Sequence, residues 1–175
     1  MHGVAGGRFW STTDEHEPSG HITEGVEMRI AMMDKRMGKL DLAAALIPLD
    51  QQFTLHGPAD ADLTVVSWGS PKGTILDAMR ILEAEGRKIN FLQCRLMRPF
   101  PAAAIEPILR RAKRLVLVEE NYSGQLGQVV ATETGVRITD RILKFDGRPF
   151  SEDELVKALA NAHAGGKVER VVTNV

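Results

Sequence analysis

Two segments of this sequence have the residue types to cradle an anion. Gly69-Ser-Pro-Lys-Gly73 and Glu119-Glu-Asn-Tyr-Ser-Gly-Gln125 each follow an apolar, β-branched run and precede a helical pattern. A strand, a glycine turn and a helix N-terminus in that order aim backbone N–H groups at a ligand, and Lys72 adds a positive charge. Neither segment is a GxGxxG fingerprint or a GxxxxGK[ST] phosphate loop, so Gly73 and Gly124 serve equally well as the pivots of tight turns. His16 and His21 lie five residues apart among Asp14, Glu15 and Glu17, a donor set that suits a metal. Their spacing fits neither one helical face nor a zinc pattern, and a solvated or interface loop is expected instead. Glu119 and Glu120 adjoin at a strand end, where a catalytic acid could sit. Neighbours in a strand point to opposite faces, so they are not a working pair. Cys94 also ends a strand, where a buried, inert thiol is the usual case.

The elements that would position these groups are legible in the pattern. Residues 1–25 carry five glycines and no period, and read as a loop or as a strip from a neighbouring domain. A helix is predicted from Val26 to Ile47, ended by Pro48, with Thr23 as its cap. Val26, Ile30, Met33, Met37, Leu40 and Ala44 step by four and three, which places them in one stripe roughly 80° wide. Met28 and Met32 lie roughly 200–240° from Val26, on a second face. From Phe53 onward strands alternate with helices: Phe53 to His56, Leu63 to Trp68, a helix Thr74 to Glu85, then the strand Ile89 to Leu92. A helix ending near Ala112 holds Pro107, so it should be kinked or start late. The strand Leu115 to Val118, a helix Tyr122 to Thr134, the strand Arg141 to Phe145 and a helix Glu152 to Ala162 capped by Ser151 follow. Such alternation requires right-handed crossovers and a parallel sheet covered on both faces. The fold expected is α/β, a three-layer αβα arrangement of five strands with the weak first strand as an antiparallel edge. Residues 51–163 form this domain, 26–50 a linking helix and 164–175 a tail.

Composition narrows the function. Lys and Arg (22) nearly cancel Asp and Glu (23), so no basic excess exists to neutralise nucleic-acid phosphates. One cysteine permits no internal disulfide and too few thiolates for an iron–sulfur cluster or structural zinc. No apolar run approaches a membrane span, and the N-terminus lacks a charged head followed by an apolar core, so a cytoplasmic protein without membrane contact is expected.

Several segments, taken in order, carry a resemblance. They are Asp14-Glu-His16 with Gly20, Lys35-Arg36 with Lys39-Leu40, Ser67-Trp-Gly-Ser70 with Lys72-Gly73, Arg98-Pro-Phe-Pro101, Val118-Glu-Glu-Asn121 with Gly124-Gln125, and Lys144-Phe-Asp-Gly-Arg-Pro-Phe150. Together, from about Gly6 to Leu159, they resemble the alpha subunit of the 2-oxoacid:ferredoxin oxidoreductases, especially the 2-oxoglutarate type. The resemblance implies a domain similar to the transketolase C-terminal domain, preceded by the exit strip of a pyrimidine-binding domain. In that family thiamine diphosphate, Mg2+ and the iron–sulfur cluster sit on a beta subunit, and the assembly uses coenzyme A and passes electrons to ferredoxin. None of those cofactor motifs is in this sequence. The pyrimidine domain is missing as well, so Met1 is expected to mark a truncated chain, a split gene or a partial reading frame.

What the resemblance implies is a support and assembly role, with no catalytic, cofactor-binding or metal residue in this chain and no activity in the chain alone. Partners would be the pyrimidine-binding domain and the beta subunit. Candidate interface residues are Glu15, His16, Met28, Met32, Ser70, Lys72, Asn121, Gly124 and Gln125. The alternative is a free-standing α/β module that binds an anionic small molecule at the carboxyl edge of its sheet.

Overall fold

Strands form where the apolar, β-branched runs lie. The computed structural model describes residues 3–7 and 12–168. In it β1 (Phe53–His56), β2 (Leu63–Trp68), β3 (Ile89–Cys94), β4 (Leu115–Glu119) and β5 (Asp140–Leu143) make one sheet in the order β1-β3-β2-β4-β5. The pairs β2·β3, β2·β4 and β4·β5 are parallel. β1 is the antiparallel edge, as expected, with Phe53 opposite Cys94 and His56 opposite Phe91. β3 therefore lies between β1 and the strand to which its short turn leads.

The helices are α1 (Val26–Leu46), α2 (Leu49–Gln52), α3 (Lys72–Ala84), α4 (Ala102–Arg111), α5 (Gln125–Thr134) and α6 (Glu152–His163). The chain divides after Leu46 into two units. In the second, Leu63, Val65, Val116 and Val118 pack with Ile75, Leu82, Leu155 and Leu159 of α3 and α6. Val66, Leu92 and Leu117 pack with Ile105, Leu109, Leu126 and Val130 of α4 and α5. The period-2 alternation of each strand thus feeds two separate cores, which is the three-layer arrangement.

Several element ends differ from the sequence reading, each for a local reason. α3 starts at Lys72 because Pro71, at φ −62°, already has a helical φ. Gly86 closes it at φ +80°, with Arg87 N–H returning to Leu82 O at 3.0 Å. β3 runs on to Cys94 because β1 keeps pairing with it. α4 begins immediately after Pro101 and holds Pro107 within it, so it does not start late. α5 starts at Gln125, three residues after Tyr122, because Gly124 is left-handed at φ +67°. The capping box on α6 is present: Ser151 Oγ accepts from Glu154 N–H, and Glu154 Oε2 accepts from Ser151 N–H. Residues 164–168 are not a free tail. Val168 is buried, and its carbonyl accepts from Arg141 N–H at 3.0 Å. The rest of the expected tail, 169–175, lies outside the described residues.

The first unit is a loop and a helix. Glu17 and Thr23 N–H groups bond to His21 O and Glu15 O, each at 3.0 Å, closing a small loop around Gly20. Thr23 Oγ1 accepts from Gly25 N–H at 3.1 Å, just ahead of α1. No residue of α1 is buried. Met28 and Met32 are half-buried, whereas Val26, Ile30, Met33 and Met37 are exposed. The longer apolar stripe, not the methionine pair, is the more open of the two faces.

Candidate functional site

Because β2 and β4 are neighbours, the turns that follow them meet at the carboxyl edge of the sheet. Trp68, Gly69, Ser70 and Pro71 face Glu120 and Asn121 across an open cleft of about 220 Å³. Ser70 Oγ donates to Glu120 Oε2 at 2.5 Å, and Phe150 N–H donates to Glu120 Oε1 at 3.0 Å. Glu120 therefore ties three loops together. Trp68, Tyr122 and Phe145 are exposed at or next to this edge, with the Tyr122 and Phe145 rings edge-on at 4.9 Å. Lys72 is exposed in the first turn of α3.

Glu119 is the buried centre of the edge. It lies on the same face of β4 as Leu117, which packs in the α4–α5 core. Both its carboxylate oxygens accept from Leu126 N–H, at 3.1 and 3.0 Å. Oε1 also accepts from Trp68 Nε1 at 3.0 Å and Asn121 Nδ2 at 2.9 Å. Asn121 Oδ1 in turn accepts from Gly124 N–H at 2.7 Å and Gln125 N–H at 3.3 Å. The N–H groups of residues 124–126 are thus already satisfied, and a carboxylate of the chain itself sits on the positive end of α5.

That arrangement bears on two readings. The N-terminus of α5 is not an anion cradle, since Glu119 occupies it with like charge. Asn121, a candidate interface residue, lines the open cleft and also holds its own turn together, while Gln125 is exposed. Gly124 is required there: a Cβ on it would lie 2.9 Å from Leu117 Cδ2, at a φ that side chains rarely adopt. Gly73 is different. It lies inside α3, where an added Cβ would meet nothing within 4 Å, so it is not a turn glycine.

The remaining candidates are placed as follows. Cys94 is buried, and burial pushes its thiol up to about 12, with the negative charge of Glu119 adding to the effect. In the first unit Glu15 accepts from Arg29 Nη1 at 3.1 Å and from both terminal nitrogens of Arg36. His16 Nδ1 lies 3.2 Å from Asp14 O, and His21 Nδ1 lies 3.1 Å from Ser19 Oγ. Among the described residues, no three of His, Cys, Asp and Glu come together to hold a metal ion.

The sequence reading misses two groups. It treats Glu119 only as half of a carboxylate pair; a charge ending a wholly apolar strand, followed by Asn and a glycine helix start, is the available signal. Lys144 is the other. It is 3% exposed, and its Nζ donates to Glu154 Oε1 at 2.8 Å and Oε2 at 2.7 Å. That ammonium, and then the Ser151 N–H, hold the Glu154 carboxyl below its ordinary range.

Comparison with known proteins is consistent with this architecture. A profile of the pyruvate:ferredoxin oxidoreductase core domain II matches residues 61–155. The chain is 40% identical over 152 residues to the 2-oxoacid:ferredoxin oxidoreductase subunit alpha of Saccharolobus solfataricus, covering 87% of this chain and 24% of that protein. It is 36% identical over 163 residues to the 2-oxoglutarate oxidoreductase subunit KorA of Mycobacterium tuberculosis, covering 84% and 24%. Among solved structures it superposes on the 2-oxoglutarate:ferredoxin oxidoreductase from Magnetococcus marinus with a TM-score of 0.70 and 24% identity, over 92% of this chain and 28% of that one. At that identity the likeness shows the fold. The chain spans about a quarter of the length of these relatives.

Proposed function

Because the chain belongs to the pyruvate:ferredoxin oxidoreductase core domain II family, we propose that it is the C-terminal part of the alpha subunit of a 2-oxoacid:ferredoxin oxidoreductase. In this reading it supports subunit assembly and the thiamine diphosphate cleft of a cytoplasmic enzyme. The assembly decarboxylates a 2-oxoacid oxidatively, with 2-oxoglutarate as that acid, and uses coenzyme A and ferredoxin. The similarity to the Mycobacterium tuberculosis protein supports the choice of acid.

The observation that carries the supporting role is the inward use of polar groups at the carboxyl edge. Glu119, Glu120 and Asn121 bond to groups of this same edge, which ties its loops into one rim. The residues here do not fit the enzyme's cofactors. A diphosphate at α5 would meet the Glu119 carboxylate, and the one thiol is buried with its proton held tightly. Those groups belong to another subunit in this reading. Ser70, Lys72, Gln125 and the exposed aromatics then face a neighbouring domain or subunit, as do Glu15, His16, Met28 and Met32. The anion-binding alternative is weakened by the two carboxylates at the same edge.

The test is to express the chain with an affinity tag in its native host and identify what co-purifies. The expected result is a complex with thiamine diphosphate and iron–sulfur absorbance that reduces ferredoxin only with 2-oxoglutarate and coenzyme A together. A chain recovered alone, or a complex without that activity, overturns the reading.

A further inference from the structure

The open stripe of α1 has a charge pattern that specifies its own partner. Steps of four and three make a heptad, with Ile30, Met37 and Ala44 at a and Val26, Met33 and Leu40 at d. Most of this seam is open: Val26 is 73% exposed, Ile30 56%, Met33 40% and Met37 48%, while Leu40 is half-buried and Met33 shares a groove with residues 12–16. The flanks of the seam have opposite signs. The three e positions are Glu27, Asp34 and Asp41, all acidic. The g positions are Arg29, Arg36 and Ala43. Two helices side by side in parallel put the g flank of one against the e flank of the other. An antiparallel pair puts g against g and e against e, which would set arginine against arginine and carboxylate against carboxylate.

We propose that α1 is a docking surface for a second copy of this chain, the two helices forming a short parallel, in-register coiled coil. Arg29 then faces the partner's Asp34, and Arg36 the partner's Asp41. Glu15 already bonds to both arginines from its own chain. Asp14 lines the same groove, yet Arg29 and Arg36 remain 63% and 44% exposed, so both guanidinium groups are still open to a second carboxylate from the acidic flank of a partner. Glu15 also holds both long side chains on the g side, which lowers the entropy lost when they pair. Three heptads with methionine and alanine in the seam make a weak coiled coil, suited to a contact that the rest of an assembly reinforces. The proposal stands independently of the enzyme assignment.

The test uses the whole chain in sedimentation equilibrium and disulfide trapping. A doubled mass at high micromolar concentration is expected. Val26→Cys and Ala44→Cys chains should each form disulfide dimers with themselves, since equivalent residues meet in a parallel pair. The buried Cys94 does not compete. Two charge-reversed chains, Asp34→Lys with Asp41→Lys and Arg29→Glu with Arg36→Glu, should each be monomeric, and an equimolar mixture should recover the doubled mass. Unchanged melting of each variant will show that the second unit is intact. A parent chain that stays monomeric, disulfides only between Val26→Cys and Ala44→Cys chains, or dimers indifferent to charge reversal would each overturn the proposal.

Discussion

Glu119 at the end of β4 grips Leu126 N–H with both carboxylate oxygens, seven residues along the chain, and so fastens a strand end to the start of α5. The same carboxylate accepts from Trp68 Nε1 at the end of the neighbouring strand β2, where the other turn begins. One buried charge therefore fixes the relative position of the two turns that line the carboxyl-edge cleft.

Glu119→Gln should destabilise the chain strongly. The amide keeps one acceptor oxygen but turns an NH2 group toward existing donors. The expected loss is about 2–3 kcal/mol, the range for a buried charged group deprived of its partners. Urea unfolding of the variant against the parent measures it.

Two glycine substitutions should separate in sign. Gly124→Ala combines a positive φ with a contact 2.9 Å from Leu117 Cδ2, and should cost about 1–3 kcal/mol. Gly73→Ala sits in open space within α3, and should be neutral or stabilising by up to about 1 kcal/mol. Thermal melting of the two variants reads the difference.

Removing one partner of the Lys144–Glu154 pair should unfold the chain more readily than removing both. Glu154→Leu alone leaves the Lys144 ammonium, 3% exposed, with Asp146 at 3.9 Å as its remaining carboxylate, and about 3 kcal/mol is expected. Adding Lys144→Met to it should recover part of that loss, while the Ser151 cap bond that Glu154 also makes stays lost in both. A double-mutant cycle in urea gives the coupling.

The same pair sets a pH dependence. The folded-state carboxyl of Glu154 lies below its ordinary range, so its contribution is fully present above the unfolded value. It is lost as pH falls through the lowered, folded value. The parent should lose more stability than Glu154→Gln on acidification through that window, as followed by urea midpoints at a series of pH values.

Cys94 should be silent to thiol reagents in the native chain. Its thiolate is scarce at neutral pH because the thiol is pushed up to about 12, and the side chain is 1% exposed. A disulfide reagent should react at the rate of global opening, and at full speed in denaturant.

The sequence alone determined the fold class, the placement of the chemistry-bearing turns along one edge, and most strand limits. β2 is a β-branched, largely apolar run, and α6 announces itself through Ser151 and Glu154 three residues apart. These features are local: period, capping and turn chemistry depend on residues a few positions away. The structure decided what depends on distant neighbours. β1 found β3 as its partner, which no short-range pattern specifies. Asn121 proved to hold the Gly124 and Gln125 N–H groups because Gly124 is left-handed and α5 starts after it. Glu119 and Lys144 became buried charges only because Leu126 N–H, Trp68 and Glu154 are brought to them. A charged side chain at a strand end looks alike in sequence whether it faces water or a partner, and the packing of separate elements is what settles which.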